Sequence, residues 1–191
     1  MELINYIAEV VTPATFQAVT LAQAKKQNEI STTDATHDDQ LNDLIRSATD
    51  EVQRDTGLYL CRQTVRVKTD EICDGMQLQG HPIISITSIK YYDASNVQQT
   101  LATSVYNFDT AHRRIYLKYT QVWPVAIARW DAWEITYLVG YADQDSVPQL
   151  AKKACLQLIA NDFYDRGDMI KESEQHKYER TINKLRRGTY P

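Results

Sequence analysis

Glycine is scarce, with 6 in 191 residues. That argues against loops that cradle phosphate and against collagen-like or linker-rich designs. Cysteine is scarcer: Cys61, Cys73 and Cys155 are an odd number with no CxxC pair. This excludes a disulfide frame, and the three are expected to be reduced intracellular thiols used as small core residues. No apolar run approaches the roughly 18 residues of a membrane helix, so the chain is not expected to span a bilayer. The first Lys is Lys25, so a secretory signal with a basic start is not expected.

What is present is an ordinary globular composition, 43% hydrophobic and 24% charged. That supplies enough apolar surface to offset chain entropy, in one sizeable domain or two small packed units. The net charge of -4 is unevenly spread. Residues 1–60 carry 4 basic and 10 acidic side chains, 61–145 carry 8 and 9, and 146–191 carry 9 and 6. An acidic front and a basic tail suggest ends that face different partners.

Along the chain, residues 1–19 lack helical periodicity and read as an extended arm with little core of its own. Thr20-Leu-Ala-Gln23 matches a capping box that opens a short helix to about Gln27, followed by a polar loop from Ser31 to His37. Leu41, Leu44, Ile45, Ala48 and Val52 share one helical face. Asp38 and Asp39 sit at the positive end of that helix, and Gly57 suits a left-handed stop. The opposite face carries Asp43, Arg46, Asp50 and Arg54, which form either a solvated charge ladder or a contact with a neighbouring subunit.

From Gln63 to Tyr141 the period falls to about two: Val65/Val67, Ile84/Ile86, Ile89/Tyr91, Tyr106/Phe108, Ile115/Leu117 and Trp133 to Val139. Several short strands at regular spacing predict an antiparallel β unit inserted between helical segments. Pro148 then opens a helix with Leu150, Ala151, Ala154, Cys155, Leu158, Ile159 and Phe163 as an apolar stripe, ending near Gly167. A last helix, about Glu172 to Arg187, has only Tyr178, Ile182 and Leu185 as a thin stripe and is expected to be ordered mainly by a partner. The fold class is α+β, divided into an arm (1–19), a helical core (20–60 with 146–168), a β insertion (61–145) and a basic C-terminal helix and tail (169–191).

Catalytic chemistry finds little support. His37, His81, His112 and His176 show no metal-ligand spacing, and Cys61, Cys73 and His81 match no common zinc pattern. Asp143 and Asp145 lack the Gly and Glu of a calcium loop and read as a polar turn. No nucleophile elbow, Walker loop or dinucleotide fingerprint occurs, so no enzyme, metal or cofactor is expected. Tyr91, Tyr92, Trp123, Trp130 and Trp133 suggest a base-stacking platform only at first sight. Stacking needs a basic groove beside it, so core or subunit-interface packing is the stronger reading. Lys171, Lys177, Arg180, Lys184, Arg186 and Arg187 form a solvated helix face, or dock on an acidic protein surface or on phosphates.

The order of motifs resembles one family. Val19-Thr-Leu-Ala-Gln-Ala-Lys25 is similar to its "VTLAEAK" helix, and Asp38 to Ile45, continuing to Asp55-Thr-Gly-Leu58, to its second helix and "TGR-L" end. Pro82 to Asp93 resembles its "P-V-x-S-I-x-S-V-x-Y-x-D" strand and turn, and Tyr137 to Tyr141 with Val147-Pro148 its "Y-x-x-G-Y … V-P" lead into a third helix. Asn28-Glu-Ile30 departs from its "L-R-I"-like stretch. The family is the head–tail connector (adaptor, head completion) family of tailed bacteriophages, in its longer form with a β insertion.

The resemblance implies a structural virion protein made in the host bacterial cytoplasm and placed at the neck. It would form a ring, usually of twelve copies, under the portal protein, extend the channel for double-stranded DNA and dock the next neck or tail-completion protein. It implies no cofactor and no membrane. Portal binding is then expected at Lys177, Arg180, Lys184, Arg186, Arg187, Tyr190 and Pro191, and subunit contact at Asp43, Arg46, Asp50 and Arg54. Deleting residues 174–191 is expected to abolish portal docking and leave a folded body. The alternative is a DNA-binding or packaging-accessory module that uses the basic tail.

Overall fold

A computed structural model describes residues 8–164 and 172–187. The chain divides into two compact units. One comprises the described residues up to Pro13 with Gln63–Gly140; the other comprises Ala14–Arg62 and the described residues from Tyr141 onward. With helices in one unit and antiparallel sheets in the other, the fold is α+β, as the change of period predicts.

The β unit contains β1 (Glu9–Thr12), β2 (Gln63–Thr69), β3 (Met76–Gln77), β4 (Ile83–Tyr92), β5 (Gln98–Thr100), β6 (Tyr106–Asp109), β7 (Arg114–Leu117) and β8 (Trp133–Val139). Five strands form one sheet in the order β1-β2-β8-β4-β5, and β3-β7-β6 form a second. β8 lies at the centre because it alternates strictly: Trp133, Ile135, Tyr137 and Val139 are buried, and the residues between them are half-buried. Val67 of β2 and Ile89 of β4 flank Ile135 in register, so the sheet is stabilised by cross-strand apolar pairs on one face.

β4 reaches that face differently from the alternation read in the sequence. Its register against β8 shifts between Ile83 and Ser85 and again between Ile86 and Ser88. Each shift inserts one extra residue, so Ile83, Ile86 and Ile89 oppose Val139, Tyr137 and Ile135. Ile84 is left exposed. β1, within the segment read as an extended arm, is exposed along its length and pairs antiparallel with β2 as an edge strand, where Arg66 Nη2 lies 2.9 Å from Glu9 Oε2.

The helical unit contains α1 (Leu21–Gln27), α2 (Asp38–Thr56), α3 (Gln149–Tyr164) and α4 (Glu172–Arg187). The capping box forms as the residue pattern predicts: Gln23 N–H donates to Thr20 Oγ1 at 3.1 Å, and Thr20 N–H donates to Gln23 Oε1 at 3.0 Å. Gly57 ends α2 at φ 71°, a conformation that costs glycine nothing sterically. The expected stop of α3 near Gly167 lies outside the described residues. Leu41, Ile45, Ala48 and Val52 pack with Ala151, Ala154, Cys155 and Ile159 in one core. Ala18 and Val19, read as part of the arm, are buried in it too.

α4 joins the same core through Tyr178, Ile182 and Leu185. The stripe is thin but complete: spacings of four and three put all three on one side, with buried Thr181 beside them. Intramolecular packing therefore orders this helix, where the sparse stripe suggested ordering by a partner. Burying three such side chains is worth several kcal/mol, so deleting residues 174–191 would open the core and not leave an intact body.

The cysteines divide. Cys61 and Cys155 are buried core residues as expected, but Cys73 is exposed, because it sits in the loop between β2 and β3. Among the described residues no helix is long and apolar enough to cross a membrane.

Candidate functional site

Several of the side chains that could do chemistry are engaged in structure. Burial pushes the Cys61 thiol up to about 11 and the Cys155 thiol up to about 12, so neither supplies a thiolate nucleophile near neutrality. His37 stands edge-on to Phe163, with ring centroids 5.4 Å apart. His112 Nδ1 lies 2.5 Å from Asp109 Oδ2 in the β6–β7 turn, which lowers the Asp109 pKa. Asp143 Oδ1 accepts from Ser146 N–H at 2.8 Å and from Ser146 Oγ at 2.7 Å, making the polar turn before α3. Among the described residues no group of three His, Cys, Asp or Glu could hold a metal ion.

The candidate sites are therefore surfaces. On α2, Asp43, Arg46, Asp50 and Arg54 are all exposed. Arg46 Nη1 lies 3.3 Å from Asp43 Oδ1, a solvated pair that adds little to stability. On α4, Lys177, Arg180 and Lys184 fall on one exposed stripe. Arg186 is exposed as well, but its Nε donates to the Asp55 carbonyl at 2.6 Å, so its guanidinium already serves the end of α2. Arg187 closes α4, while Lys171, Tyr190 and Pro191 lie outside the described residues.

A third surface is the segment between β7 and β8, from Lys118 to Ala132. It exposes Tyr119 (95%), Val122 (77%), Val125 (87%) and Trp130 (74%). Single exposed apolar residues are common, but four within twelve residues form a patch that water does not favour. The segment is held at its far end. The Arg129 guanidinium pairs with both carboxylate oxygens of Asp131, the Nη2–Oδ2 contact being 2.8 Å. It also donates to Asn96 Oδ1 at 3.0 Å and lies 4.3 Å above the Tyr92 ring. The aromatic set splits: Trp133 is buried, edge-on to half-buried Trp123 at 6.0 Å, while Trp130 is in solvent.

The fourth feature is a groove of about 390 Å³ formed by α1, α3 and α4. Gln23, Gln27, Gln157, Lys152, Lys153 and Lys177 are among its lining residues. Sequence reasoning missed this groove because Lys152 lies within the apolar stripe of α3 and reads as one more surface lysine. It missed the exposure of the β7–β8 segment too, although the run Val122-Trp-Pro-Val-Ala-Ile127 has neither strand alternation nor a helical face to bury.

Among the described residues the candidate features are charged and apolar surfaces, the kind an assembly protein presents to its partners. The family comparison is more specific: residues 18–119 match the Phage gp6-like head-tail connector protein family, and the chain belongs to it. That family is one of structural connectors and not of enzymes. Three solved chains share the fold. One lies in the neck of an empty GTA particle computed with C6 symmetry, is 19% identical with a TM-score of 0.79, and covers 94% of this chain and 95% of its own. Another lies in the neck of a native GTA particle computed with C12 symmetry, at 20% identity, TM-score 0.75 and 94% of both chains. A third belongs to the virion of a native gene transfer agent (GTA) particle, at 17% identity, TM-score 0.74, and 96% and 100% coverage. No curated protein matches the sequence.

Proposed function

We propose that this connector assembles as a closed ring, of twelve copies, in the neck of a phage-like particle. The ring docks under the portal protein, extends the channel through which double-stranded DNA passes, and presents a platform for the next neck or tail protein. The observation that carries this reading is the patch at Tyr119, Val122, Val125 and Trp130, since a protein built to stay alone would not leave it in water. A ring uses heterologous contacts, one side of a subunit fitting the other side of its neighbour. The charged face of α2, with Asp43, Arg46, Asp50 and Arg54, supplies one such side. Lys177, Arg180, Lys184, Arg186 and Arg187, with Tyr190 and Pro191 beyond them, are assigned to the portal. A net acidic chain suits a passage for DNA better than a clamp, because lysine and arginine rings would hold phosphates by counterion release.

Electron microscopy of the purified chain mixed with portal complexes tests this. The expected image has a symmetric layer beneath the portal, with this chain traced in it. Portals that remain bare would overturn the reading. Tight duplex binding that weakens steeply with salt, without portal docking, would instead favour the packaging-accessory module.

A further inference from the structure

The helices of the second unit differ in charge. α2 holds six Asp or Glu and two Arg in 19 residues, whereas α1, α3 and α4 together hold nine Lys or Arg against four Asp or Glu. Asp39, Asp43, Arg46 and Asp50 recur at spacings of four, three and four, so they trace one exposed line along α2.

Lys152 makes the opposite demand. It is 5% exposed and lines the groove; its backbone N–H bonds the Pro148 carbonyl, yet its ammonium has no hydrogen bond or ion pair with any described residue. Asp143 feels its charge only from beyond ion-pair range. A lysine whose stem is packed into protein gains by meeting an anion at its head. Lys153 adds a second cation at the same opening, and Gln23, Gln27 and Gln157 line it with amides.

We propose that this groove receives the carboxylates of a second copy. Asp39, Asp43 and Asp50 on α2 of one protomer meet Lys152 and Lys153 of the next, within the ring put forward above and resting on that reading. The volume of about 390 Å³ admits a few side chains and not a whole helix, which suits aspartates projecting from a helix laid across the opening. Arg46 within the line has donors beyond its bond to Asp43, and the Gln27 amide offers them an acceptor, the Gln23 and Gln157 amide oxygens already accepting from Thr20 N–H and Thr181 Oγ1. A run of phosphates would leave that acceptor unused. Carboxylate line and receiving groove sit on different helices of one chain, so the contact repeats head to tail, the kind of contact that generates a ring.

Zero-length carbodiimide coupling of mixed isotope-labelled and unlabelled protein, at the highest soluble concentration, reads the contact directly. The expected products are amides between labelled and unlabelled copies that join Asp39, Asp43 or Asp50 to Lys152 or Lys153. Charge reversal gives a second readout by sedimentation. Asp43→Lys and Lys153→Glu should each raise the concentration needed for assembly about tenfold, and mixing the two variants should recover much of the loss. Circular dichroism confirms that each variant is folded, both positions being exposed. Rings that form without these links, or that ignore both reversals, overturn this contact and leave the ring intact. A chain that stays monomeric throughout, alone and with portal, overturns both.

Discussion

Tyr178 Oη donates a 2.8 Å hydrogen bond to Asp55 Oδ2, tying α4 to the last turn of α2. The same turn accepts from Arg186 through the Asp55 carbonyl. Tyr178→Phe should therefore cost about 1.5 kcal/mol, the worth of a hydrogen bond to a charged acceptor. Tyr178→Ala, which also leaves a cavity, should cost about 4 kcal/mol. Urea unfolding followed by circular dichroism measures both, and equal losses would show that the hydroxyl carries the whole effect.

Truncation before residue 174 removes Tyr178, Ile182 and Leu185 from the core. At about 1.5–3 kcal/mol per buried side chain, the loss rivals the whole stability of a typical domain. The truncated protein should lose cooperative unfolding and bind a hydrophobic dye. A sharp transition at unchanged urea concentration would mean that α4 is an appendage.

The buried thiols should make the protein sensitive to alkali. Burial raises Cys61 and Cys155 from 9.0 to about 11 and about 12. The folded state thus keeps protons that the unfolded chain releases. Stability is full below pH 9, falls as pH rises through the window from 9 to about 12, and is not regained above it. Each thiol contributes a slope of roughly 1.4 kcal/mol per pH unit inside that window. Tyr178, also held protonated well above its usual value by burial and by Asp55, steepens the fall above pH 10. Urea midpoints from pH 8 to 11 should decline, and Cys61→Ala should flatten the decline.

Thiol titration distinguishes the three cysteines. One thiol per chain, Cys73, should react with an aromatic disulfide reagent under native conditions, and all three in denaturant. Cys73→Ser should abolish the native reaction, and any native reaction that survives it would place Cys61 or Cys155 at the surface.

Arg129 is expected to anchor the β7–β8 segment through its fork on Asp131, its bond to Asn96 and its stacking on Tyr92. Arg129→Ala should speed limited proteolysis between Tyr119 and Trp130 several-fold. Arg129→Lys should rescue little, because an ammonium cannot make the planar two-point contact. Full protection in the lysine variant would show that charge alone suffices.

The elements that fill a whole face were legible in the residues: α2 by its 41-44-45-48-52 spacing, β8 by its alternation, α1 by its capping box. Each signal is local, arising from backbone period and from groups a few residues apart, so the sequence alone determined the elements and the α+β class. β4 was legible only in part. Its Ile83, Ile86 and Ile89 sit three apart, a spacing that becomes one strand face only when two extra residues bulge against β8.

Everything that depends on what a side chain meets across the chain was decided by tertiary structure. The stripe of α4 carries enough to dock only because α2 and α3 present a matching core and Asp55 an acceptor. Cys73 and Cys155 are the same residue type, yet a loop leaves one in water and a helix packs the other away. Lys152 is buried although lysine is ordinarily a surface residue, and Trp130, read as packed in the core or at a subunit interface, is outside the core of the single chain. Burial is a property of neighbours that arrive from distant positions, and no local pattern encodes which neighbours those will be.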